Sequence, residues 1–445
     1  MLGDSLRPEA LLGDLQRRTF AYFLEYRDPA TGLVRDNTHA GAPCSITAVG
    51  LGLACFAVAA EAGWLSRGEA AEAVAATLRF FHESPQSDAP DATGYRGFYY
   101  HFLDVETGRR ARRCELSTLD TTFLLAGALA AARYFDGEGP VEAEIRALAD
   151  ALYRRCDWAW ALAGGRAVSH GWKPERGFLR ARWQGYNEAL LLYALALGSP
   201  THPVPEDSYA AWQETYRWKK AYGIEHLYAG PLFIHQLSHC WVDFRGLQDA
   251  YMRERSAALG TPVDYFENSR RATYVQRAYA TRNPRGFRGY GPDAWGITAS
   301  DGPGRCTRRV DGRERAFYGY RARGAPWGLD DGTLSPWAVA AALPFAPEIV
   351  LPALAHVNAA YPRATGRLGL KGSLNPTFPA GPDGEGADEA RGWFSEVHFG
   401  LDQGPVVLMV ENYQTGLLWR LMRSCPYLVS GLRRAGFRGG WLEDA

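Results

Sequence analysis

The chain has 445 residues, enough for two or three average domains or for one large repeating domain. Its composition is that of a globular protein, with 47% hydrophobic and 22% charged residues, and no run approaches the roughly 18 apolar residues of a membrane span. A formal net charge of zero does not favour a nucleic-acid or anionic-membrane partner, so we expect neither.

Apolar residues recur at three- and four-residue steps along most of the chain, which is the periodicity of amphipathic and buried helices. One segment also opens with Ser66-x-x-Glu69, the pattern of a capping box. The predicted helices cover 8–26, 45–63, 66–83, 117–135, 141–162, 183–203, 206–222, 231–253, 265–281, 337–361 (broken near Pro344 and Pro347), 405–422 and 426–435.

The arrangement of these segments predicts the fold class. Strand character is limited to 94–110 and to a hairpin within 168–183, and the long loops 283–332 and 371–402 interrupt the later helices. All-apolar helices alternate with more charged ones, as for an inner and an outer ring, and no linker divides the chain. We therefore predict an all-α protein with one domain over 1–445, an (α/α)6 toroid or barrel of about six helical hairpins whose long loops form a cleft. Two packed helical domains are the alternative.

The segment 183–203 reads as a buried helix that carries one carboxylate. Asn187 is the expected N-cap, Glu188 the acid of the first turn, and Gly198 the expected left-handed stop. The segment between them is apolar on every face, which predicts a helix enclosed by protein. A buried Glu188 needs a partner, a proton or a chemical role, whereas an exposed one only interacts with the helix dipole. The residues alone leave both readings open.

Asp120 stands at the head of another apolar helix, in the string Ser117-Thr-Leu-Asp120. A serine N-cap with an acid three residues later predicts a reciprocal cap, and this structural reading competes with a catalytic one. Glu115, just before the helix, is predicted to be solvated.

Polar residues in 235–245 offer two readings. His235, His239 and Asp243 fall four residues apart, a spacing that can hold a metal on a helix, but no further ligand is evident and we expect no metal or other cofactor. Trp241, Asp243 and Arg245 place an aromatic ring, an acid and a base together, as a sugar-binding site does, since the ring stacks and the charges bind hydroxyls.

The segment 392–419 combines Trp393, Glu396 and Asp402 ahead of an apolar helix that contains Glu411 and Asn412. Asp402 is either a helix cap or a functional acid. Glu411 and Asn412 are either a buried structural pair or functional polar residues, and the sequence leaves both readings open.

Cysteine usage and the N-terminus bear on the compartment. The seven cysteines are scattered without a C-x-x-C pair, which argues against a disulfide framework and a structural zinc site. No basic region followed by an apolar one opens the chain, so as given it is expected to be cytoplasmic, with the periplasm possible for a processed chain.

Several strings together resemble the bacterial glucoamylase-like family, the relatives of endo-β-1,2-glucanases and of the C-terminal region of cyclic β-1,2-glucan synthases. The matching strings cover most of 15–436, in order. They are SITAVGLGL, STLDTTFLLAGAL, GYNEALLLYALALGSP, WVDFRGLQDAY, DYFENSRRAT, YGPDAWGITASDGP and LDQGPVVLMVENYQTGLLW. The resemblance implies an (α/α)6 barrel that acts on β-1,2-linked glucose chains.

The resemblance also implies roles for individual residues. Glu188, in the family's G-Y-N-E string, is assigned the general acid; Asp120 is a candidate base or water-orienting group, and Asp402, in D-Q-G-P, competes for the base role. The residues that we assign to the glucan substrate are Asp36, Trp183, Tyr186, Trp241, Asp243, Arg245, Trp295, Trp327, Trp393 and Glu396, with the tryptophans as stacking candidates.

We expect hydrolysis with inversion, because a wide cleft favours carboxyl groups about 6.5–9.5 Å apart. Glu188 then has to stay protonated near neutral pH, so burial has to outweigh the helix N-terminus. The alternatives are a glucan-binding protein without activity and a transglycosylase or phosphorylase on the same fold. The sequence leaves endo or exo action and the oligomeric state open.

Overall fold

The computed structural model describes residues 8–379, 387–388 and 391–444. It is mostly helical, as predicted. The α-helices are α1 (Pro8–Glu25), α2 (Ile46–Glu61), α3 (Arg67–Glu83), α4 (Thr118–Tyr134), α5 (Pro140–Arg154), α6 (Leu190–Gly198), α7 (Asp207–Gln213), α8 (Ala250–Leu259), α9 (Tyr265–Arg282), α10 (Pro336–Ala340), α11 (Pro347–Ala360), α12 (Gly400–Gln414), α13 (Leu417–Arg423) and α14 (Pro426–Arg434). Short 3-10 helices lie at Trp160–Leu162, Leu232–His235, Leu237–Cys240, Pro362–Ala364 and Gly440–Glu443.

The strands are short and pair in antiparallel fashion. They are β1 (Cys44–Ser45), β2 (Gly94–Tyr95), β3 (Phe98–Tyr100), β4 (Phe102–Leu103), β5 (Leu116–Ser117), β6 (Gly171–Lys173), β7 (Gly177–Phe178), β8 (Trp218–Ala221), β9 (Ile224–Leu227), β10 (Ala299–Ser300), β11 (Cys306–Val310), β12 (Arg313–Phe317), β13 (Arg321–Ala322), β14 (Thr365–Gly366), β15 (Gly369–Leu370), β16 (Leu374–Asn375), β17 (Ala387–Asp388) and β18 (Gly392–Phe394).

The chain divides into two compact units, each built from three segments. The first unit comprises 8–22, Trp218–Gln236 and the described part of Asn268–Gln414, and the second comprises Phe23–Arg217, Leu237–Glu267 and 415–444.

Closely packed helices form the core of the second unit. A Cβ atom on Gly127 of α4 would lie 1.9 Å from the backbone oxygen of Gly50 in α2, so the two helices meet at glycines. The same holds for α6 and α14, where a Cβ on Gly198 would lie 1.9 Å from the oxygen of Tyr427. Gly198 is therefore the last residue of α6 and a packing glycine, and the predicted left-handed stop is wrong.

A five-stranded sheet in the order β2-β3-β5-β6-β7 leads into α4 of the second unit. Strand β5 runs directly into α4, and β1, which pairs with β4, runs directly into α2. Serines cap both helices: Ser45 accepts from the N–H of Ala48, and Ser117 accepts from the N–H of Asp120. The capping box at Ser66 and Glu69 is confirmed as well.

The first unit contains most of α9, all of α10 to α12 and the long loop region. Its predicted loop 283–332 is held by Arg323, whose fully buried guanidinium donates to Asp331 at 2.7 and 2.9 Å and to the backbone oxygen of Ser300 at 2.7 Å. Glu411 accepts from Gln16 at 3.0 Å, which favours the structural reading of its carboxylate.

Several predicted helices are wrong in part, and within 183–203 only α6 is helical. Within 206–222 only α7 is helical, because Tyr222 and Gly223 adopt positive φ angles of 53° and 84° and turn β8 into β9. Within 231–253 the chain forms two 3-10 turns, and α8 begins only after Asp249, whose carboxylate accepts from the N–H of Met252 at 2.8 Å. His235, His239 and Asp243 therefore do not share one helix face.

None of the helices in the described part of the chain combines the length and apolar character required to cross a membrane.

Candidate active site

Glu188 lies in a turn of the second unit, two residues before α6. The predicted first-turn position is wrong, because Asn187 uses its side-chain oxygen to accept from the N–H of Ala189 at 3.1 Å and from Trp212 Nε1 at 3.0 Å. Ser238 fixes the turn from the other side: its hydroxyl donates to the backbone oxygen of Glu188 at 3.1 Å and accepts from the N–H of Leu191 at 3.2 Å.

The surroundings of Glu188 favour its protonated form. The residue is half-buried, but its carboxyl group is enclosed enough that burial raises its pKa from 4.5 to about 7. A backbone hydrogen bond opposes this shift, and the negative charge of Asp120 adds to it. Burial thus outweighs the backbone dipoles, as expected for an acid that holds a proton near neutral pH.

Asp120 is held from two helices. The hydroxyl of Thr47, in the first turn of α2, donates to Asp120 Oδ1 at 2.6 Å, and the Ser117 hydroxyl donates to Oδ2. The predicted serine cap is confirmed. The reciprocal bond differs from the prediction, because the Asp120 carboxylate accepts from the Ser117 hydroxyl and not from the Ser117 backbone N–H. Two hydroxyl donors fix the orientation of the carboxylate.

His101 and Glu115 complete this cluster. His101 Nδ1 lies 2.9 Å from Glu115 Oε1 and 3.8 Å from Asp120 Oδ2. Burial opposes the charge on His101, but Asp120, Glu115 and Asp36 raise its pKa to about 9. Glu115 was predicted to be solvated, but its side chain is only 28% exposed and pairs with His101. Burial acts to raise the pKa of Glu115, but the hydrogen bond from His101 and the nearby positive charges lower it overall.

Asp36, a predicted substrate residue, belongs to the same cluster. It is half-buried, accepts from the Asn37 side chain at 2.8 Å, and interacts electrostatically with both His101 and Asp120. Burial raises the pKa of Asp36, although Asn37 and His101 act against it. The second unit therefore brings Asp36, Asp120 and Glu188 together, as the predicted roles require.

Two aromatic residues that were predicted to contact the substrate lie in the second unit, shortly before Glu188 in the chain. Trp183 stacks on His170, with ring centroids 3.7 Å apart, and its Nε1 donates to Thr118 at 3.0 Å. Tyr186 is buried and lies parallel to Tyr265 at 5.9 Å. Trp183 remains half-exposed and can offer an edge or a face to a ligand.

Trp241, Asp243 and Arg245 were predicted to bind sugar together. This role is wrong for Trp241 and Asp243, and it stays a prediction for Arg245. Trp241 is fully buried, so no face of its ring is open for stacking. Asp243 is also buried, and its carboxylate binds Arg245 at 2.8 Å and Arg423. Arg245 is half-exposed but is committed to Asp243 and lies over the Trp419 ring at 4.7 Å. Asp243 is thus committed to internal ion pairs, whereas Arg245 remains accessible.

The first unit carries the other predicted residues. Trp295 is only 2% exposed, so its predicted stacking role is wrong. Trp327 is 50% exposed, with Lys219 Nζ 4.4 Å from its ring centroid. Trp393 is half-buried on β18, and Glu396 is exposed and paired with Arg363 at 2.9 Å and with Lys371.

Asp402 is buried in the first turn of α12, which begins at Gly400 rather than near Pro405. Because α12 starts before Asp402, this residue does not precede the helix as an N-cap, and that predicted role is wrong. The base role remains a prediction.

Within the described ranges, no three His, Cys, Asp or Glu side chains lie together as a metal site would require.

The comparisons with known proteins place the chain in a family. Residues 180–426, more than half of the chain, match the model of the Glycoamylase family, described as putative glucoamylase. The chain belongs to this family. Across 96% of its length it is also 26% identical to a curated protein of Parabacteroides distasonis, an exo β-1,2-glucooligosaccharide sophorohydrolase (non-reducing end). The chain spans 58% of that relative's length.

Solved structures resemble the chain along almost its whole length. A putative glucoamylase from Bacteroides uniformis superposes with a TM-score of 0.85 at 30% identity, covering 99% of this chain and 100% of the other. An endo-β-1,2-glucanase from Chitinophaga pinensis, solved with sophorotriose and glucose, has a TM-score of 0.83 at 26% identity, covering 98% of this chain and 100% of the other.

Proposed function

We propose that this chain is a glycoside hydrolase that cleaves β-1,2-glucan, with Glu188 as the general acid. The observation that carries the proposal is the enclosed Glu188 carboxyl, which keeps its proton up to a pH of about 7 beside the carboxylate of Asp120. Glycoside hydrolysis requires one protonated acid at the leaving oxygen and a second carboxyl group whose different surroundings keep it ionised. The sophorohydrolase and the endo-β-1,2-glucanase among its relatives support the choice of linkage.

Asp120 is our first candidate for the base or for the group that orients the water. Its hydrogen bonds from Thr47 and Ser117 favour a carboxylate of fixed orientation. Asp402 is the second candidate, and the two are separated by chemical rescue. Azide should restore turnover only to the variant, Asp120→Asn or Asp402→Asn, that has lost the base. We also propose inversion, which proton NMR of the freshly released anomer tests.

Substrate binding is assigned to the predicted residues whose side chains are at least partly accessible. These are Asp36, Trp183, Arg245, Trp327, Trp393 and Glu396. Exposed rings support stacking on the apolar faces of glucose units, and carboxylates support hydrogen bonds to hydroxyls.

We further propose that the chain forms one (α/α)6 catalytic domain over 1–445. The likeness to single solved chains over 99% of its length supports this architecture.

A panel of linear β-1,2-, β-1,3- and α-1,4-glucans tests the function. The purified protein should release sophoro-oligosaccharides from the β-1,2-glucan alone, and Glu188→Gln should abolish the release. Tight binding without products would instead identify a binding protein. Longer products, or products that require phosphate, would identify a transglycosylase or a phosphorylase.

A further inference from the structure

His101 is held in place by the sheet of the second unit. Strands β3 and β5 pair Tyr100 with Leu116, so the next residues, His101 and Glu115, lie opposite each other. The backbone N–H of His101 donates to the backbone oxygen of Glu115 at 3.0 Å, and their side chains meet at 2.9 Å. The imidazole ring also stacks on Phe102, with centroids 3.9 Å apart. The ring therefore has one fixed orientation.

The charges around His101 favour the imidazolium form. Asp120, Glu115 and Asp36 act on it directly, while Lys173 and Arg112 are the cations that face Glu115 and Asp36. Burial works against the positive charge, but the three carboxylates outweigh it and hold the pKa of His101 at about 9. Both ring nitrogens thus carry a proton at neutral pH.

Only one of these two protons has an acceptor among the residues that the structure describes. Nδ1 is bound to Glu115, whereas Nε2 makes no hydrogen bond to the described part of the chain. The His101 side chain is 30% exposed, so part of the ring is open to a ligand, and Nε2–H is the ring proton left available to it. A charged donor on a fixed ring is suited to a sugar hydroxyl, because little entropy is lost on binding.

We propose that His101 is a substrate-binding residue, which donates its Nε2–H to a hydroxyl group of a glucose unit bound at Glu188 and Asp120. This inference rests on the proposed function and adds a residue that the motifs did not indicate. Glu115 acts through His101, because it fixes the ring and retains its positive charge.

Binding of sophorotriose by titration calorimetry tests the role of His101. The background is Glu188→Gln, which prevents turnover while the affinity is measured. Adding His101→Gln should raise the Kd about tenfold or more, because a charged hydrogen bond is lost. His202→Gln is the matched control, since His202 is an exposed histidine of the same unit, and it should leave the Kd unchanged.

A second variant, Glu115→Gln, leaves the ring in place and removes one of the three negative charges that favour its protonated form. The pKa of His101 should fall, as NMR of the labelled imidazole will show. The affinity of this variant should therefore weaken between pH 6 and 8.5, whereas the background affinity stays constant up to about pH 8.

The outcomes separate the two proposals. If the background protein binds sophorotriose and His101→Gln has the same Kd, the role of His101 is wrong and the proposed function stands. If wild-type protein neither binds nor cleaves β-1,2-glucans, the proposed function fails, and the role of His101 fails with it. Thermal unfolding of each variant verifies that it is folded.

Discussion

The Asp120 charge acts on the protonation of Glu188, and the raised pKa of Glu188 gives the activity a defined pH dependence. Burial and the Asp120 charge raise the pKa of Glu188 to about 7, so the acid form is lost above that pH. We predict that kcat/KM for β-1,2-glucan falls tenfold per pH unit well above pH 7. A profile that stays flat to pH 9 would contradict the assignment of Glu188.

The contribution of Asp120 can be measured without turnover. Asp120→Asn removes a negative charge that raises the pKa of Glu188, so the pKa should move down from about 7. NMR titration of labelled glutamate carboxyl groups measures this change directly. Asp207→Asn, which alters an exposed aspartate of the same unit, is the control and should leave the value unchanged.

The raised pKa of Glu188 also implies a stability cost. Below pH 4.5 the carboxyl is protonated in both the folded and the unfolded chain, so it has no net effect. As the pH rises from 4.5 to 7, the unfolded chain releases its proton first and the folded state is disfavoured by up to about 3 kcal/mol. Glu188→Gln should therefore be more stable than wild type at pH 8 and nearly equal to it at pH 4. Urea unfolding at both pH values tests this, and an equal difference at both would contradict it.

At the scale of elements, two glycine contacts fix the spacing of the buried helices. Gly127→Ala places a Cβ 1.9 Å from the Gly50 oxygen, so α2 and α4 have to separate. We predict a loss of about 1–3 kcal/mol or more in the free energy of unfolding. Gly68→Ala in α3 meets no atom within 4 Å and should change stability by less than about 1 kcal/mol. Equal effects of the two substitutions in chemical denaturation would contradict this account.

Local signals predicted some elements well and left others out for identifiable physical reasons. The Ser66 and Ser117 caps were predictable because a cap depends on residues only three positions apart. The hairpin at Tyr222 and Gly223 was missed because its strands carry an apolar spacing that also fits a helix. Helix α6 begins after Glu188, later than predicted, because the Asn187 side chain accepts a hydrogen bond from Trp212, which is distant in sequence.

The candidate site shows the same limit. Glu188 and Asp120 were indicated by strings shared with a family, whereas Asp36 was assigned to the substrate without such a string; the structure brings the three together. His101 and Glu115 meet only through the register of β3 and β5, which no local pattern states. Trp241 and Trp295 were chosen as exposed stacking rings, but tryptophan also fills cores, and burial is set by the tertiary fold.

For the whole molecule, the proposed single domain predicts one cooperative unfolding transition. Scanning calorimetry should give a calorimetric enthalpy equal to the van't Hoff enthalpy. Two separate transitions would show instead that the chain contains independently folding parts, and the proposal of one domain over 1–445 would be wrong.

The central claim, that Glu188 protonates the leaving oxygen of a β-1,2-glucan, is tested most directly by the leaving group. Glu188→Gln should reduce hydrolysis of β-1,2-glucan by about 10²–10⁴-fold, because the sugar alkoxide needs a proton to depart. Hydrolysis of β-sophorosyl fluoride should fall less than about tenfold, since fluoride departs with little acid assistance. An equal loss on both substrates, or no loss on the glucan, would contradict the account.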